Sequence, residues 1–191
     1  MNTSSTTTDT ATNKPPEQPT KTPSAELATW LTNLVRTRQY GQLADLRRPR
    51  ARTTTHILAA AHAPADAPKQ REVFEQVAFL FAVYHRGAIH PSYGYGSLGT
   101  AMRKIGSPAG RGPNDPGATR LADRIVSSRR IPWRHLQHAV TRLRSCDQPP
   151  PSWRQLIDDL DRWTERGRPV PYSWAVNFHT PVRNTTKGTT K

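Results

Sequence analysis

The sequence predicts an all-α protein, a compact bundle of about eight helices in two sub-bundles. Apolar residues recur at helical spacing through most of the chain, and no segment alternates with period two for long enough to make a convincing strand. Serine, aspartate, proline and glycine stand where such helices would begin and end. A stretch rich in Gly and Pro at 106–117 divides the pattern into an N-terminal group at 23–105 and a C-terminal group at 118–179.

Taken in order, Ser24 is placed to cap a helix whose apolar stripe is Leu27, Trp30, Leu31, Leu34 and Val35. Gly41 punctuates, and a short helix carries Leu43 and Leu46 before Arg47, Arg48 and Pro49. Another helix is expected over 55–63. The segment 71–85 holds Val73, Phe74, Val77, Phe79, Leu80, Phe81, Val83 and Tyr84, a face wide enough for the central core helix. Ser97 can cap a helix reaching Ile105. Asp115 followed by Pro116 gives an N-cap and a first-turn proline, opening a helix that buries Leu121, Ile125 and Val126. Pro132 opens the next, with Trp133, Leu136, Val140 and Leu143 inward. The run Pro149, Pro150, Pro151 breaks the chain. Ser152 then caps a helix carrying Trp153, Leu156, Ile157, Leu160 and Trp163. A last short helix includes Trp174 and Phe178. Residues 1–22 and 180–191 are too polar to offset their ordering entropy, and disordered tails are expected there.

Composition excludes several classes. A lone Cys146 leaves no internal disulfide and no multi-cysteine metal cage. The longest apolar run, 77–84, falls far short of the roughly 18 residues of a transmembrane helix. No apolar secretory stretch opens the chain, so a cytoplasmic protein with no membrane partner is expected.

Charge is the strongest functional signal. Lys and Arg total 28 against 14 Asp and Glu, a formal net charge of +14, and 22 of the cations are arginine. All of these except Arg183 lie between Arg36 and Arg168, within the helical pattern. Guanidinium forks held on helices suit phosphate oxygens better than ammonium does. Arg47, Arg48, Arg50 and Arg52 cluster at one helix end, and Arg120 and Arg124 stand one turn apart. Arg129 and Arg130 fill the next joint; Arg134, Arg142 and Arg144 continue along the following helix, and Arg162, Arg166 and Arg168 close the set. Asp115 and Asp123 are the only carboxylates from Gln76 to Cys146, too few to neutralise these faces. With most aromatics at core positions, holding of a nucleic-acid backbone without base readout is the expected mode.

Other constellations read more simply. Gly94-Tyr95-Gly96-Ser97-Leu98-Gly99 has dinucleotide-loop spacing, but no strand precedes it, so a glycine-rich connection into a capped helix is expected. His135 and His138 share a helix face beside Arg134 and Arg142, which repel a metal cation; surface histidines are expected. Asp158, Asp159, Asp161 and Glu165 form an acidic cluster within reach of Arg154, Arg162 and Arg168, consistent with surface ion pairs. No cofactor, metal site or catalytic residue is expected.

Short motifs then point to a family. Leu43-Ala44-Asp45-Leu46-Arg47-Arg48 looks like L-A-x-L-R-R, and Val77-Ala78-Phe79-Leu80-Phe81-Ala82 is similar to an apolar central helix. Gly96-Ser97-Leu98-Gly99-Thr100-Ala101-Met102 looks like G-x-S-L-G-x-A-L shortened by one residue. Arg120-Leu121-Ala122-Asp123-Arg124-Ile125-Val126 is similar to R-R-F-x-x-L-L, and Trp153, Trp163, Trp174 and Phe178 match closing aromatic positions. From about residue 30 to 178 the chain resembles the CasB family, the small subunit of the type I-E CRISPR surveillance complex Cascade.

The resemblance implies a non-catalytic, all-helical protein, present as two copies beside the backbone and large subunits. It would help hold the hybrid of CRISPR RNA and target DNA, together with the displaced non-target strand. Arg47, Arg48 and Arg120 are the backbone-contact candidates that the motifs imply. Arg124, Arg130 and Arg142 join them from the arginine clusters, and Lys69, Arg71, Arg129, Arg166 and Arg168 on charge and position. Two other readings remain at this stage. One is a helix-turn-helix regulator over 118–144, with Arg130 or Arg134 reading bases. The other is a metal-dependent nuclease on Asp158 and Asp161.

Overall fold

The computed structural model describes residues 22–48, 53–107 and 110–180. The expectations for the two tails, apart from Thr22 and Thr180, and for Arg50 and Arg52 lie outside them. Among the described residues are nine α-helices: α1 Pro23–Arg36, α2 Tyr40–Leu46, α3 Thr54–Ala61, α4 Pro68–Tyr84, α5 Leu98–Met102, α6 Pro116–Ser127, α7 Trp133–Ser145, α8 Trp153–Asp161 and α9 Pro169–His179. The all-α class holds.

Several helix ends follow the sequence. The Asp115 carboxylate accepts from the Ala118 amide at 2.6 Å, with Pro116 in the first turn of α6. The Ser97 hydroxyl accepts from the Thr100 amide, and the Ser152 hydroxyl from that of Gln155. Others depart from it. Helix α1 starts at Pro23 with Thr22 as N-cap, because proline has no amide proton to leave unpaired; Ser24 is buried inside the helix. Gly41 lies within α2 and breaks nothing.

The break comes at Arg38, whose φ of 55° is left-handed. There the Gln39 amide donates to the Leu34 carbonyl at 2.8 Å and the Arg38 amide to that of Val35 at 3.1 Å. Asp147, φ 52°, ends α7 in the same way, with the Gln148 amide donating to the Leu143 carbonyl at 2.9 Å. This reversal satisfies terminal carbonyls and usually takes glycine. The described residues of 106–117 form more than the loop that composition predicts. Gly106–Ser107 pairs antiparallel with Gly110–Arg111, and a 3-10 turn at Gly112–Asn114 follows. Helix α5 ends at Met102 rather than Ile105, whose buried side chain leads into this pairing.

Helix α4 is the central element, as its wide apolar face predicts. It buries Val73, Phe74, Val77, Ala78, Leu80, Phe81, Ala82 and Tyr84 and lies against α1, α2, α3, α7 and α8. Packing also crosses the 106–117 segment between α1 and α8 and between α5 and α9. Gly99 of α5 meets α9 so closely that a Cβ there would stand 2.1 Å from the Trp174 carbonyl oxygen. His85, just past α4, is buried and stacks on Phe81 with ring centroids 3.9 Å apart.

Candidate nucleic-acid interface

Helix α7 shows how the sequence builds a cationic face. Leu136, Ala139, Val140 and Leu143 are buried. At 3.6 residues per turn, that stripe turns Arg134, Gln137, His138, Thr141, Arg144 and Ser145 to the surface. No carboxylate occurs anywhere in the helix.

Neighbouring elements convert this face into grooves. Between α6 and α7, Gly117, Arg120, Leu121, Arg124, His138 and Arg142 line a depression of about 280 Å³. It adjoins a second of about 480 Å³ lined by Arg124, Arg134, His135 and His138, two of these residues being shared. On the next sector of α7 lies a groove of about 510 Å³ toward α4. Phe79 and Val83 give it an apolar floor, with Arg47, Arg86 and Arg144 around it and Gln137, Thr141 and Ser145 supplying polar groups. No acidic side chain lines any of the three.

The electrostatics match this geometry. Burial, and secondly repulsion from Arg86, lower the Arg47 pKa from its ordinary value. Two guanidinium groups facing one groove gain from an anion between them. Arg142 is partly neutralised, lying 3.4 Å from the Asp115 carboxylate. The Ala118 amide first, and Arg142 also, hold that carboxyl below its usual range against partial desolvation. Arg142 therefore ties the start of α6 to α7 as well as lining the groove.

The structure thus places Arg120, Arg124 and Arg142 together and Arg47 in the neighbouring groove. The other candidates lie elsewhere. Arg48 is exposed and pairs with Asp45 at 3.6 Å. Lys69 lines a separate depression with Asp66, Gln70 and Asp161, and Arg71 is exposed on α4. Arg129 and Arg130 are exposed in the joint between α6 and α7, and Arg166 before α9. Arg168 takes a left-handed φ of 52° and donates through Nη2 to the carbonyls of Val126 at 2.8 Å and Ser128 at 2.5 Å. That contact clasps the start of α9 to the end of α6.

The sequence places Arg134 and Arg144 only within the arginine cluster of this helix, Arg134 also as a base reader in the helix-turn-helix alternative, and gives no sign of Arg86. For the pair on α7, the absence of carboxylates from the helix is the available signal. Arg86 has none, since only tertiary packing brings it to Arg47.

The acidic cluster is spoken for by local partners. Asp158 pairs with Arg154 at 4.0 Å, and Glu165 holds Arg162 by two bonds of 2.9 and 3.1 Å. Asp159 accepts from the Trp174 indole at 2.7 Å and Asp161 from the Gln70 amide at 2.8 Å. Among the described residues, no group of three or more His, Cys, Asp or Glu side chains is placed to hold a metal ion. Nor is any described helix long and apolar enough to cross a membrane.

Comparison with known proteins agrees with the fold. The family model for CRISPR-associated protein Cse2 matches residues 42–179. The crystal structure of CasB from Thermobifida fusca superposes with a TM-score of 0.65 at 19% identity, covering 82% of this chain and 96% of that one. No curated protein matches the sequence significantly.

Proposed function

From the premise that the chain belongs to the CRISPR-associated Cse2 family, we propose that it is the non-catalytic small subunit of a type I-E Cascade complex. In this reading it acts in cytoplasmic antiviral defence. It sits with a second copy of itself beside the backbone and large subunits, and holds the CRISPR RNA–target DNA hybrid and the displaced strand. The observation that carries the reading is the set of three grooves along α7, none lined by a carboxylate, with Arg47, Arg86, Arg120, Arg124, Arg134, Arg142 and Arg144 on their walls.

Such walls can accept phosphate oxygens without presenting a base-specific pattern. Phosphate contacts fix register and orientation while leaving sequence to be read elsewhere, here by the guide RNA. In this reading the contribution of these walls is retention of the strands.

The test is reconstitution with CRISPR RNA and the remaining Cascade subunits. An Arg120→Ala/Arg124→Ala variant should assemble normally yet bind target DNA about a hundredfold more weakly, two charge-assisted contacts being worth about 3 kcal/mol together. The factor should be the same for unrelated guide–target pairs. Unchanged DNA binding, or a loss confined to one target sequence, would contradict the proposal.

A further inference from the structure

Residues 92–96 join the end of α4 to α5 in a segment whose odd and even positions face opposite ways. Ser92, Gly94 and Gly96 are partly buried, while Tyr93 and Tyr95 are each 55% exposed. The inward positions are tightly held. The Ser92 amide donates to His85 Nε2 at 2.9 Å, and the Ser92 carbonyl accepts from the Trp153 indole at 3.1 Å. The Ser152 amide donates to the Gly96 carbonyl at 3.0 Å. Gly94, with φ 67°, lies against the proline run so closely that a Cβ would stand 2.2 Å from the Pro151 oxygen.

A backbone fixed at three alternate points therefore displays two aromatic rings to solvent. Each ring has its own cation. Arg36 donates to the Tyr93 hydroxyl, with its guanidinium carbon 5.7 Å from the ring centroid. Lys104 donates to the Tyr95 hydroxyl, with Nζ 4.1 Å from the centroid. No carboxylate occurs between Gln76 and Asn114.

We propose that this segment is a stacking platform for the unpaired bases of a single-stranded nucleic acid. Rings with fixed positions lose little entropy on binding, and every base offers a flat face to them. The neighbouring cations favour a polyanion over a neutral apolar partner. The proposal rests on the nucleic-acid role argued above, but on bases rather than phosphates and on residues outside the α7 grooves.

The experiment uses the full chain at low salt and reads fluorescence anisotropy of labelled oligothymidylate and of an abasic strand of equal length. The unmodified protein should bind oligothymidylate about tenfold or more tightly than the abasic strand. Tyr93→Leu/Tyr95→Leu should abolish that difference, while Tyr93→Phe/Tyr95→Phe, which keeps both rings, should preserve it. Equal binding of the two strands by the unmodified protein overturns the platform. So does a Leu variant that binds both strands normally but fails to enter Cascade, which would make the segment a subunit contact. Arg120→Ala/Arg124→Ala separates the two proposals. If only the platform fails, this variant still weakens both strands equally; if only the groove reading fails, it changes neither, and the preference for bases persists.

Discussion

Trp174→Ala should lower the stability of the fold by about 4 kcal/mol, measured by urea unfolding at neutral pH. The side chain is buried in α9 and packs on Trp163 with ring centroids 5.0 Å apart. Its indole N–H also donates to Asp159 Oδ2 at 2.7 Å. Truncation thus opens a cavity beside a second tryptophan and removes a donor from a largely desolvated carboxylate. Trp174→Phe separates the two effects, keeping most of the volume and deleting the donor.

The second effect has a pH signature. Burial raises the Asp159 pKa, and the Trp174 bond partly offsets the rise. Without the indole the folded-state pKa climbs further. A carboxyl with a raised folded pKa destabilises the fold when ionised, and is relieved as pH falls through that pKa. The Phe variant should therefore lose more stability relative to the unmodified protein at pH 7 than at pH 4. A difference independent of pH would contradict the assigned role of the indole bond.

Acid should weaken the protein through His85 before the bulk of its carboxylates titrate. Nδ1 lies 2.9 Å from the Phe81 carbonyl, so it carries the proton, while Nε2 accepts from the Ser92 amide at 2.9 Å. A second proton would put two donors face to face in a stack of Phe81, Tyr84 and Trp153. Burial is the main cause that lowers the pKa to about 4, and nearby Arg144 adds to it; the bond to Phe81 acts in the opposite sense.

Because the folded pKa lies below the unfolded value of about 6.5, the unfolded chain takes up the proton first. The stabilisation is complete above the unfolded pKa and is lost as pH falls toward the folded one. The expected loss is about 2 kcal/mol between pH 7 and pH 5, and about 3 kcal/mol by pH 4. His85→Asn should start less stable and lack this part of the slope. An identical pH dependence in the variant would show that other groups are responsible.

What the sequence made legible follows from which interactions are local. The apolar face of α4 identifies its central place because eight of its residues must be covered from several sides. The caps at Ser97, Asp115 and Ser152 are legible because each bonds an amide three residues on. The ends of α1 and α7 are not, since Arg38 and Asp147 occupy left-handed positions where glycine is the usual signal. The pairing of 106–107 with 110–111 is hidden too, being limited to two residues a side with no alternating pattern to announce it.

The candidate interface divides in the same way. Arg120 and Arg124 stand one turn apart on a helix whose apolar stripe is readable, so their shared outward face could be inferred. Arg86 meets Arg47 only because α2 packs beside α4. Arg168 carries the same charge as its neighbours, yet its Nη2 serves two backbone carbonyls, which charge counting cannot detect.

The most direct measurement is the salt dependence of binding to an RNA–DNA hybrid by the purified chain, compared with its Arg120→Ala/Arg124→Ala variant. If about six arginines engage phosphates, the logarithm of affinity should fall with the logarithm of salt at a slope near −5. Removing two contacts should move that slope toward zero by about 2. A slope near zero, or one the substitutions leave unchanged, would contradict a phosphate-holding surface around α7.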